Sequence, residues 1–348
     1  MSIFKSMILK ETLHLLRDLR TLTVVLIMPL VLLLLFGFAI STEVNDVRIV
    51  AGVGQHNNHT RDVLERLRTN PYFTFCGIVP HDQVEPALRK GNADAAIIMT
   101  CRNGVNASQI IVDGSNTNIA QTATVYIESV LNGNTKSPLL THTLYNPQLK
   151  SAYNFVPGIM GMIFILICTM MTSVSIVSEK ESGTMNLLLV SPVRPRTIIL
   201  GKMVPYFLLS CIILTLMLLL SYTVLGIPVS AAAVNVVWVS ILYIVLALAF
   251  GLLISTLADS QVTALLVSGV LLMLPVIMLS GMIFPIDNMP AILQWISCII
   301  PARWYIEAMR TLMIQQLPVS YILTDVAVLT GMTAVVMLLA IKKFNAKH

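Results

Sequence analysis

The chain has 348 residues, of which 56% are hydrophobic and 11% are charged. This composition indicates a protein with several membrane-spanning helices rather than a soluble one. The formal net charge of +5 does not indicate a nucleic-acid partner, because most of the excess basic residues lie in short segments that flank apolar runs.

The first predicted element is an amphipathic helix over residues 1–21, with apolar residues at helical spacing and four basic residues on its other faces. The run that follows lacks the small-residue cleavage site of a signal peptide. We therefore expect this helix to lie in the membrane plane on the cytoplasmic side. Residues 22–41 form the first predicted span, with a kink at Pro29.

Residues 42–152 have a different character, because short β-branched runs alternate with amphipathic ones. The patterns predict strands at 47–53, 72–79, 94–99 and 109–112, and helices at 60–68 (with Thr60 as N-cap), 82–90 and 116–131. This alternation predicts a compact α/β domain outside the cytoplasm. Cys76 and Cys101 both fall in it, and an oxidising compartment would permit a disulfide bridge, although the sequence does not supply the geometry.

Five further spans are predicted at 153–178, 203–225, 234–257, 262–284 and 321–341, each long enough to cross a hydrocarbon core of roughly 30 Å. Outside the α/β domain, eleven basic residues fall in segments that would be cytoplasmic and two in short external ones. This bias predicts that both termini, including the tail at 342–348, are cytoplasmic. Residues 285–320, rich in Pro, Trp and Tyr, predict a re-entrant or surface segment at the outer face.

The long polar interruption at 179–202 separates the second and third spans. It contains Glu179-Lys180-Glu181-Ser182-Gly183-Thr184, then an apolar run, then Ser191-Pro192 and Gly201-Lys202. Charges are costly in lipid, so this hairpin must lie at a membrane face. The apolar run at 185–190, ended by prolines, predicts a short amphipathic helix across the ends of the spans.

The hairpin carboxylates need a partner, because negative groups just past a helix C-terminus gain nothing from its dipole. A basic residue of the N-terminal helix, such as Arg17 or Arg20, would supply one for Glu179. We expect such a partly exposed pair to contribute about 1 kcal/mol or less. A purely solvated turn is the alternative interpretation.

The E-K-E-x-G-T, S-P and G-K elements of the hairpin resemble the cytoplasmic coupling hairpin of ABC-2 type ABC transporter permeases. The runs at 279–285, 289–290 and 300–305 resemble the segment that, in this family, follows the fifth span and folds back into the outer leaflet. The resemblance covers essentially the whole chain. It implies an α-helical polytopic membrane protein of six spans with an inserted α/β extracytoplasmic domain, acting as the membrane subunit of an exporter.

The resemblance also assigns roles to three groups of residues. It implies contacts with the ATPase for Glu179, Lys180, Glu181, Gly183, Thr184, Ser191 and Pro192. It implies an outer gate at Phe284, Pro285, Pro290, Pro301 and Trp304. In similar permeases spans two and five flank a pathway between two protomers, which points to Ile163, Ile167, Met170, Met171, Met273, Val276, Ile277 and Ser280. Core or lipid packing is the alternative for this last group, since methionine fills irregular apolar gaps.

The chain lacks the motifs of an enzyme. No phosphate-loop sequence occurs, because Gly201-Lys202 has neither the spaced glycine nor the following Ser or Thr. The predicted spans contain essentially no ionisable residues apart from Asp325. Its position in the first turn of the sixth span favours a structural role over a proton site. His56, His59 and Asp62 lack a second ligand cluster for a metal. We therefore expect no catalytic residue, metal or cofactor in this chain, with ATP bound by a partner.

The expected partners are ABC ATPase subunits, a second permease that is identical or similar, membrane lipids and a periplasmic adaptor, but no nucleic acid. The expected location is the bacterial inner membrane. Apolar span faces suggest a hydrophobic or amphipathic substrate such as a drug or lipid. The alternative is a membrane sensor or envelope-assembly protein whose outer domain binds a ligand. An ATPase gene beside this one would favour the exporter.

Overall fold

A computed structural model of the chain describes residues 3–39, 47–53, 58–70, 72–89, 93–102, 105–112, 117–132, 151–185, 195–228, 233–284, 286 and 289–347. Of the predicted functional residues, Ser191, Pro192 and Pro285 lie outside this range. The chain divides into two compact units, Met1–Ile40 with Ser151–His348, and Ser41–Lys150.

The elements are numbered in chain order over both units. The helices are α1 Ile3–Arg17, α2 Leu19–Ala39, α3 Asn58–Thr69, α4 Val84–Arg89, α5 Thr117–Asn132, α6 Ser151–Glu181, α7 Pro195–Thr223, α8 Ala233–Leu257, α9 Gln261–Leu266, α10 Leu272–Leu279, α11 Ala291–Ser297, α12 Pro301–Met309 and α13 Leu323–Lys347. The strands are β1 Val47–Val53, β2 Phe73–Val79, β3 Ala95–Arg102 and β4 Val105–Val112. A π-helical turn, Val267–Leu271, joins α9 to α10, and another, Arg310–Ile314, follows α12.

Six helical segments of the described chain are long and apolar enough to cross a membrane. They are Leu19–Phe38, Phe155–Glu181, Thr197–Thr223, Ala233–Leu257, Gln261–Leu279 and Val319–Lys343. Each exceeds the length that a hydrocarbon core requires. The predicted polytopic helical fold with six spans is therefore confirmed.

The helix ends differ from the predicted span ends, because helices continue past the apolar run that fills a membrane. Helix α7 begins at Pro195, whereas its span was predicted from residue 203. Proline fits the first turn of a helix, where its missing N–H has no intrahelical partner. As a result Gly201 and Lys202 lie inside α7 and do not end the hairpin. Helix α10 ends at Leu279, earlier than the predicted residue 284.

Helix α8 lies at the centre of the first unit and packs against α6 and α13. Helices α6 and α8 approach closely at Gly251, where a Cβ atom would stand 2.7 Å from the Thr169 carbonyl oxygen. The Thr169 hydroxyl donates to the Ala247 carbonyl at 3.0 Å, so the two helices are also joined by a buried hydrogen bond. Tyr243 of α8 stacks on Tyr305 of α12 with ring centroids 4.2 Å apart. These contacts fix α12 against the core.

The second unit is a four-stranded sheet in the order β2-β1-β3-β4, with β4 antiparallel to three parallel strands. Alternate residues of β1 face opposite layers, as the two-residue period of a strand requires. Ile49 packs with residues of α3 and α5, while Val50 packs with residues of α4. The predicted α/β insert is confirmed, although α3 begins at Asn58, so the predicted N-cap Thr60 lies inside its first turn.

An ion pair joins the start of β1 to the start of β3. The Arg48 guanidinium donates to both carboxylate oxygens of Asp94, at 3.0 and 2.8 Å. These hydrogen bonds hold the pKa of Asp94 below its ordinary value. The Asp94 amide donates in return to the Arg48 carbonyl at 2.8 Å. The pair therefore fixes the register between the two strands.

The disulfide considered between Cys76 and Cys101 does not form in this sheet. Cys76 lies on β2 as an exposed free thiol, and Cys101 belongs to β3. Strand β1 lies between β2 and β3, and neighbouring strands are about 4.8 Å apart. Two strand spacings exceed the Cα separation of about 4.4 to 6.8 Å that a disulfide tolerates.

Candidate coupling site at the end of α6

Helix α6 ends in a compact turn built from the polar residues that follow its apolar run. The Ser182 amide donates to the Ser178 carbonyl at 3.0 Å, and the Gly183 amide donates to the Lys180 carbonyl at 3.1 Å. Gly183 has a φ of +73°, a left-handed conformation that suits glycine after a helix C-terminus. The Thr184 hydroxyl adds a bond to the Glu179 carbonyl at 3.3 Å. The turn is therefore fixed by local bonds.

Glu179 joins three helices through its two carboxylate oxygens. Its Oε1 accepts a hydrogen bond from Lys10 Nζ of α1 at 2.8 Å. Its Oε2 lies 2.9 Å from Lys202 Nζ of α7. The second contact does not meet hydrogen-bond geometry and acts as a charge pair. The expected partners Arg17 and Arg20 are thus corrected to Lys10 and Lys202, although the predicted link to the N-terminal helix is present.

Glu11 of α1 completes the cluster from the opposite side of Lys202. Its Oε1 lies 3.7 Å from Lys202 Nζ and accepts hydrogen bonds from Ser175 at 2.6 Å and from Tyr206 at 3.1 Å. The cluster therefore contains two carboxylates and two ammonium groups from α1, α6 and α7. The sequence analysis missed Glu11, whose signal is an acid on the apolar side of an amphipathic helix, between Ile8 and Leu15.

Burial makes this cluster energetically stronger than the predicted partly exposed pair. The side chains of Lys202 and Glu179 are 5% and 13% exposed, whereas that of Lys10 is 59% exposed. Removing one partner of a buried ion pair costs about 3 to 5 kcal/mol, because the other charge remains without compensation. The expected value of about 1 kcal/mol therefore applies to the pair of Glu179 with Lys10. For the pair with Lys202 we expect a cost near the lower end of the range for buried pairs, because Glu11 also lies close to Lys202.

The next two residues of the turn tie α6 to the short connection between α8 and α9. Lys180 Nζ donates to the Ser255 carbonyl near the end of α8. Glu181 accepts two hydrogen bonds from Gln261, from the backbone amide at 3.1 Å and from Nε2 at 2.6 Å. With Glu179, three consecutive charged residues bind four other helices. The end of α6 is therefore a junction rather than a solvated turn.

The described part of the hairpin beyond this junction is short. Met185 is 2% exposed and packs in the core of the first unit. The predicted helix at 185–190 extends outside the described residues, as do Ser191 and Pro192. Their assignment to an ATPase contact stays a prediction.

The segment after the fifth span consists of short helices, as its prolines predict. Pro290 is the N-cap of α11, and Pro301 is the first residue of α12. The Trp304 indole donates to the Cys298 carbonyl at 3.0 Å, and Phe284 is 50% exposed. The described part of this segment is therefore not one spanning helix. Its role as an outer gate stays a prediction.

The eight residues assigned to a pathway do not share one environment. Ile163, Val276 and Ser280 are at most 2% exposed. Ile167, Met171 and Ile277 are partly buried against the core. Met170 and Met273 are 36% and 39% exposed. Met170 and Met273 are therefore the most exposed of the eight, and the role of all eight in a pathway stays a prediction.

The chain is similar to a described family of transporters and to several named permeases. A model of the family described as "ABC-2 family transporter protein" matches residues 19–342. The chain is 29% identical to the probable multidrug ABC transporter permease YbhS of Escherichia coli over 329 residues, covering 88% of this chain and 87% of the relative. It is also 29% identical to the probable multidrug ABC transporter permease YbhR over 326 residues, covering 87% of each chain. The chain is 26% identical to the inner membrane transport permease YhhJ of Escherichia coli over 267 residues, which cover 70% of each chain.

Proposed function

Because the chain belongs to the ABC-2 transporter family, we propose that it is the membrane subunit of an ATP-driven exporter whose ATPase is a separate chain. It is a multi-pass permease subunit of an ABC transporter, and such subunits are non-enzymatic and work with an ABC ATPase. The lack of a phosphate-loop sequence in all 348 residues supports a nucleotide site on the partner. In this proposal the chain itself binds no cofactor.

The observation that carries the proposal is the junction at Glu179. A partner that pushes on the hairpin moves the spans only if the hairpin is stiffly joined to them. Lys10 and Lys202 join Glu179 to α1 and α7, and Gln261 joins Glu181 to α9. A displacement of the turn is therefore passed to these three helices at once, which is what coupling of ATP hydrolysis to transport requires.

The proposed substrate is a hydrophobic or amphipathic molecule that leaves the cytoplasm or the inner leaflet. Two relatives are named multidrug permeases, and the exposed sides of the described spans are apolar, which agrees with a ligand that enters from lipid. Met170 and Met273 supply adaptable apolar contacts for it. We propose that two permease chains, identical or similar, enclose the pathway and bind two ATPase subunits.

The proposed location is the bacterial inner membrane, with both termini in the cytoplasm and the α/β unit outside. The excess of Lys and Arg in the segments around α1, the hairpin and the tail supports this orientation. An outer domain of this size is suited to contact a periplasmic adaptor. The proposed outer gate at Phe284, Pro285, Pro290, Pro301 and Trp304 would lie at the outer face of the membrane.

Reconstitution with a cognate ABC ATPase tests the proposal. We expect no ATP hydrolysis by the permease alone, stimulated hydrolysis by the complex, and ATP-dependent accumulation of a hydrophobic dye in inside-out vesicles. The matched control is an ATPase variant that binds but does not hydrolyse ATP. Hydrolysis by the permease alone, or dye movement in the opposite direction, would refute the assignment.

A further inference from the structure

Arg310 carries a partly buried charge that forms no ion pair among the described residues, although the carboxylate of Glu307 acts on it at longer range. It lies just after α12, in the segment between the fifth and sixth spans. Its Nη2 donates to the Gly281 carbonyl at 2.9 Å, while its Nε is buried and has no hydrogen-bond partner. A guanidinium has five N–H donors and cannot lose its proton. A buried charge is normally paired with an opposite charge, and Arg310 is an exception to this rule.

Ser280 is a second unsatisfied group at the same place. It immediately precedes Gly281, whose carbonyl Arg310 binds. Ser280 is 1% exposed, and its hydroxyl has no hydrogen-bond partner. Buried hydroxyls nearly always have one. The Arg310 Nε and the Ser280 hydroxyl each lack a hydrogen-bond partner, and the Gly281 carbonyl brings the guanidinium to the residue next to Ser280. An anion bound at this turn would accept from both groups.

The other outer arginine has a different environment. Arg303 donates from Nη1 to the Gln294 carbonyl at 3.1 Å and to the Ser297 hydroxyl at 2.5 Å. It also lies over the Trp304 ring, 5.1 Å from its centroid. Arg303 therefore holds α11 against α12 through several contacts, although its Nε, like that of Arg310, is buried without a hydrogen-bond partner. Among the described residues, Arg310 has one hydrogen bond, to the Gly281 carbonyl. A π-helical turn begins at Arg310, and such rare turns recur at functional sites.

The surface beside this turn is apolar. Met278, Ile283 and Phe284 are 48%, 46% and 50% exposed, and they lie within a few residues of Ser280 on either side. A ligand whose acidic group reaches Arg310 and Ser280 would lay an apolar tail along these residues. Arginine recognises phosphate and carboxylate oxygens through two parallel hydrogen bonds. The geometry thus favours an amphiphile over a free inorganic anion.

We infer that Arg310 and Ser280 form a binding site for the acidic headgroup of an amphiphile. This inference rests on the proposed exporter function. The amphiphile belongs to the class of molecules that the transporter moves, and this site binds it near the outer side of the membrane. Arg310 would then be a specificity-determining residue. Its backbone contact with Gly281 orients the guanidinium and leaves Nε and the second amino group for the ligand.

Native mass spectrometry of the purified permease, without its ATPase, measures this binding directly. The probes are oleoyl lysophosphatidic acid, oleoyl lysophosphatidylcholine, which has the same tail and a zwitterionic headgroup, and inorganic phosphate. We expect the first probe to bind at least about tenfold more tightly than the second, which corresponds to 1.4 kcal/mol. Inorganic phosphate should not compete at the same concentrations. Equal binding of the two lipids, or competition by phosphate alone, would overturn the amphiphile assignment.

Four variants locate the site. R310Q should weaken lysophosphatidic acid binding about tenfold, R310K less, and S280A a few-fold. E307Q is the matched control, because Glu307 lies one turn before Arg310, is exposed, and acts on Arg310 through its charge without a close ion pair. Removing this negative charge should leave binding of the acidic headgroup unchanged or make it tighter. Unchanged binding in R310Q would refute the site. If R310Q is not folded by its thermal midpoint, S280A and R310K decide the question.

The outcomes separate this site from the proposed function. Loss of selective lipid binding with intact ATP-driven dye transport would end the inference and leave the exporter assignment. Selective lipid binding without any ATP-driven transport would support the binding site and refute the exporter assignment.

Discussion

Glu179 Oε2 lies 2.9 Å from Lys202 Nζ, so the last turn of α6 and the second turn of α7 are joined by a buried charge pair. Glu179 lies before, and Lys202 after, the connection between the two helices. The pair therefore closes the hairpin at its base, and any force on the hairpin acts on both helices. Lys10 and Glu11 extend the same cluster to α1. The cluster makes the three helix ends one mechanical unit.

The first prediction concerns the two ammonium groups that bind Glu179. Replacing Lys202 with Gln leaves two carboxylates without their buried partner, and we expect a loss of roughly 3 kcal/mol in stability. Replacing Lys10 with Gln, whose side chain is 59% exposed, should cost less than about 1 kcal/mol. Thermal unfolding in neutral detergent compares the two. Equal losses would show that burial does not set the strength of this cluster.

The second prediction concerns the carboxylate itself. Glu179→Ala should reduce transport and ATPase stimulation while insertion into the membrane continues, and Glu179→Lys should be worse because it brings an ammonium next to Lys202. A double-mutant cycle with E179Q and K202Q should give an interaction energy above about 1 kcal/mol. Normal transport by E179K at normal expression would remove the coupling role.

Much of the fold follows from the sequence because the membrane imposes long apolar runs. Six such runs predicted six spans, and prolines at 290 and 301 predicted the breaks that begin α11 and α12. The strand periods of residues 47–53 predicted β1 with its observed bounds. These signals are local, and each one determines a local structure.

The cluster around Glu179 was only partly predictable, because it depends on which helices pack together. The sequence shows that Glu179 needs a cation but not that α1 meets α7 at Lys202. Arg17 lies two turns from Lys10, and only the packing of Met7 on Gly201 sets the register that selects Lys10. The π-helical turn at Arg310 likewise has no sequence signal, since it arises from how α12 fits against the core.

The third prediction is topological. A chain whose only cysteine is the native, exposed Cys76 of β2 should react with a membrane-impermeant maleimide in intact cells. A chain whose only cysteine is at position 182, exposed at the end of α6, should react only after permeabilisation. Positions 59 and 180 should repeat the pattern, although Lys180 is partly buried. Labelling of position 182 from outside would reverse the proposed orientation.

The fourth prediction concerns pH and the α/β unit. Hydrogen bonds from Arg48 lower the pKa of Asp94 below 3.8 in the folded state, so the pair stabilises the unit above that pH. This contribution is lost as the pH falls through the lowered folded-state value. Hydrogen exchange of the full chain should show β1 and β3 opening more readily below about pH 4. In D94N this acid-dependent change should be smaller, while D62N, which removes the exposed pair with Arg66, should leave it unchanged.

The last prediction concerns the turn that ends α6. Gly183 has a φ of +73°, and a Cβ atom there would meet nothing within 4 Å, so a substitution acts through backbone strain alone. Gly183→Ala should cost about 1 kcal/mol, and Gly183→Asn should cost less, because asparagine tolerates the left-handed conformation.

Gly331 provides the matched control, since it lies inside α13, has an ordinary φ and also has open space around its Cβ position. Gly331→Ala should be neutral or slightly stabilising, because alanine favours a helix. If the turn passes force from the ATPase to Glu179, G183A should also lower ATPase stimulation while G331A does not. A G183A variant with normal stimulation and reduced stability would show that Gly183 shapes the turn without serving coupling.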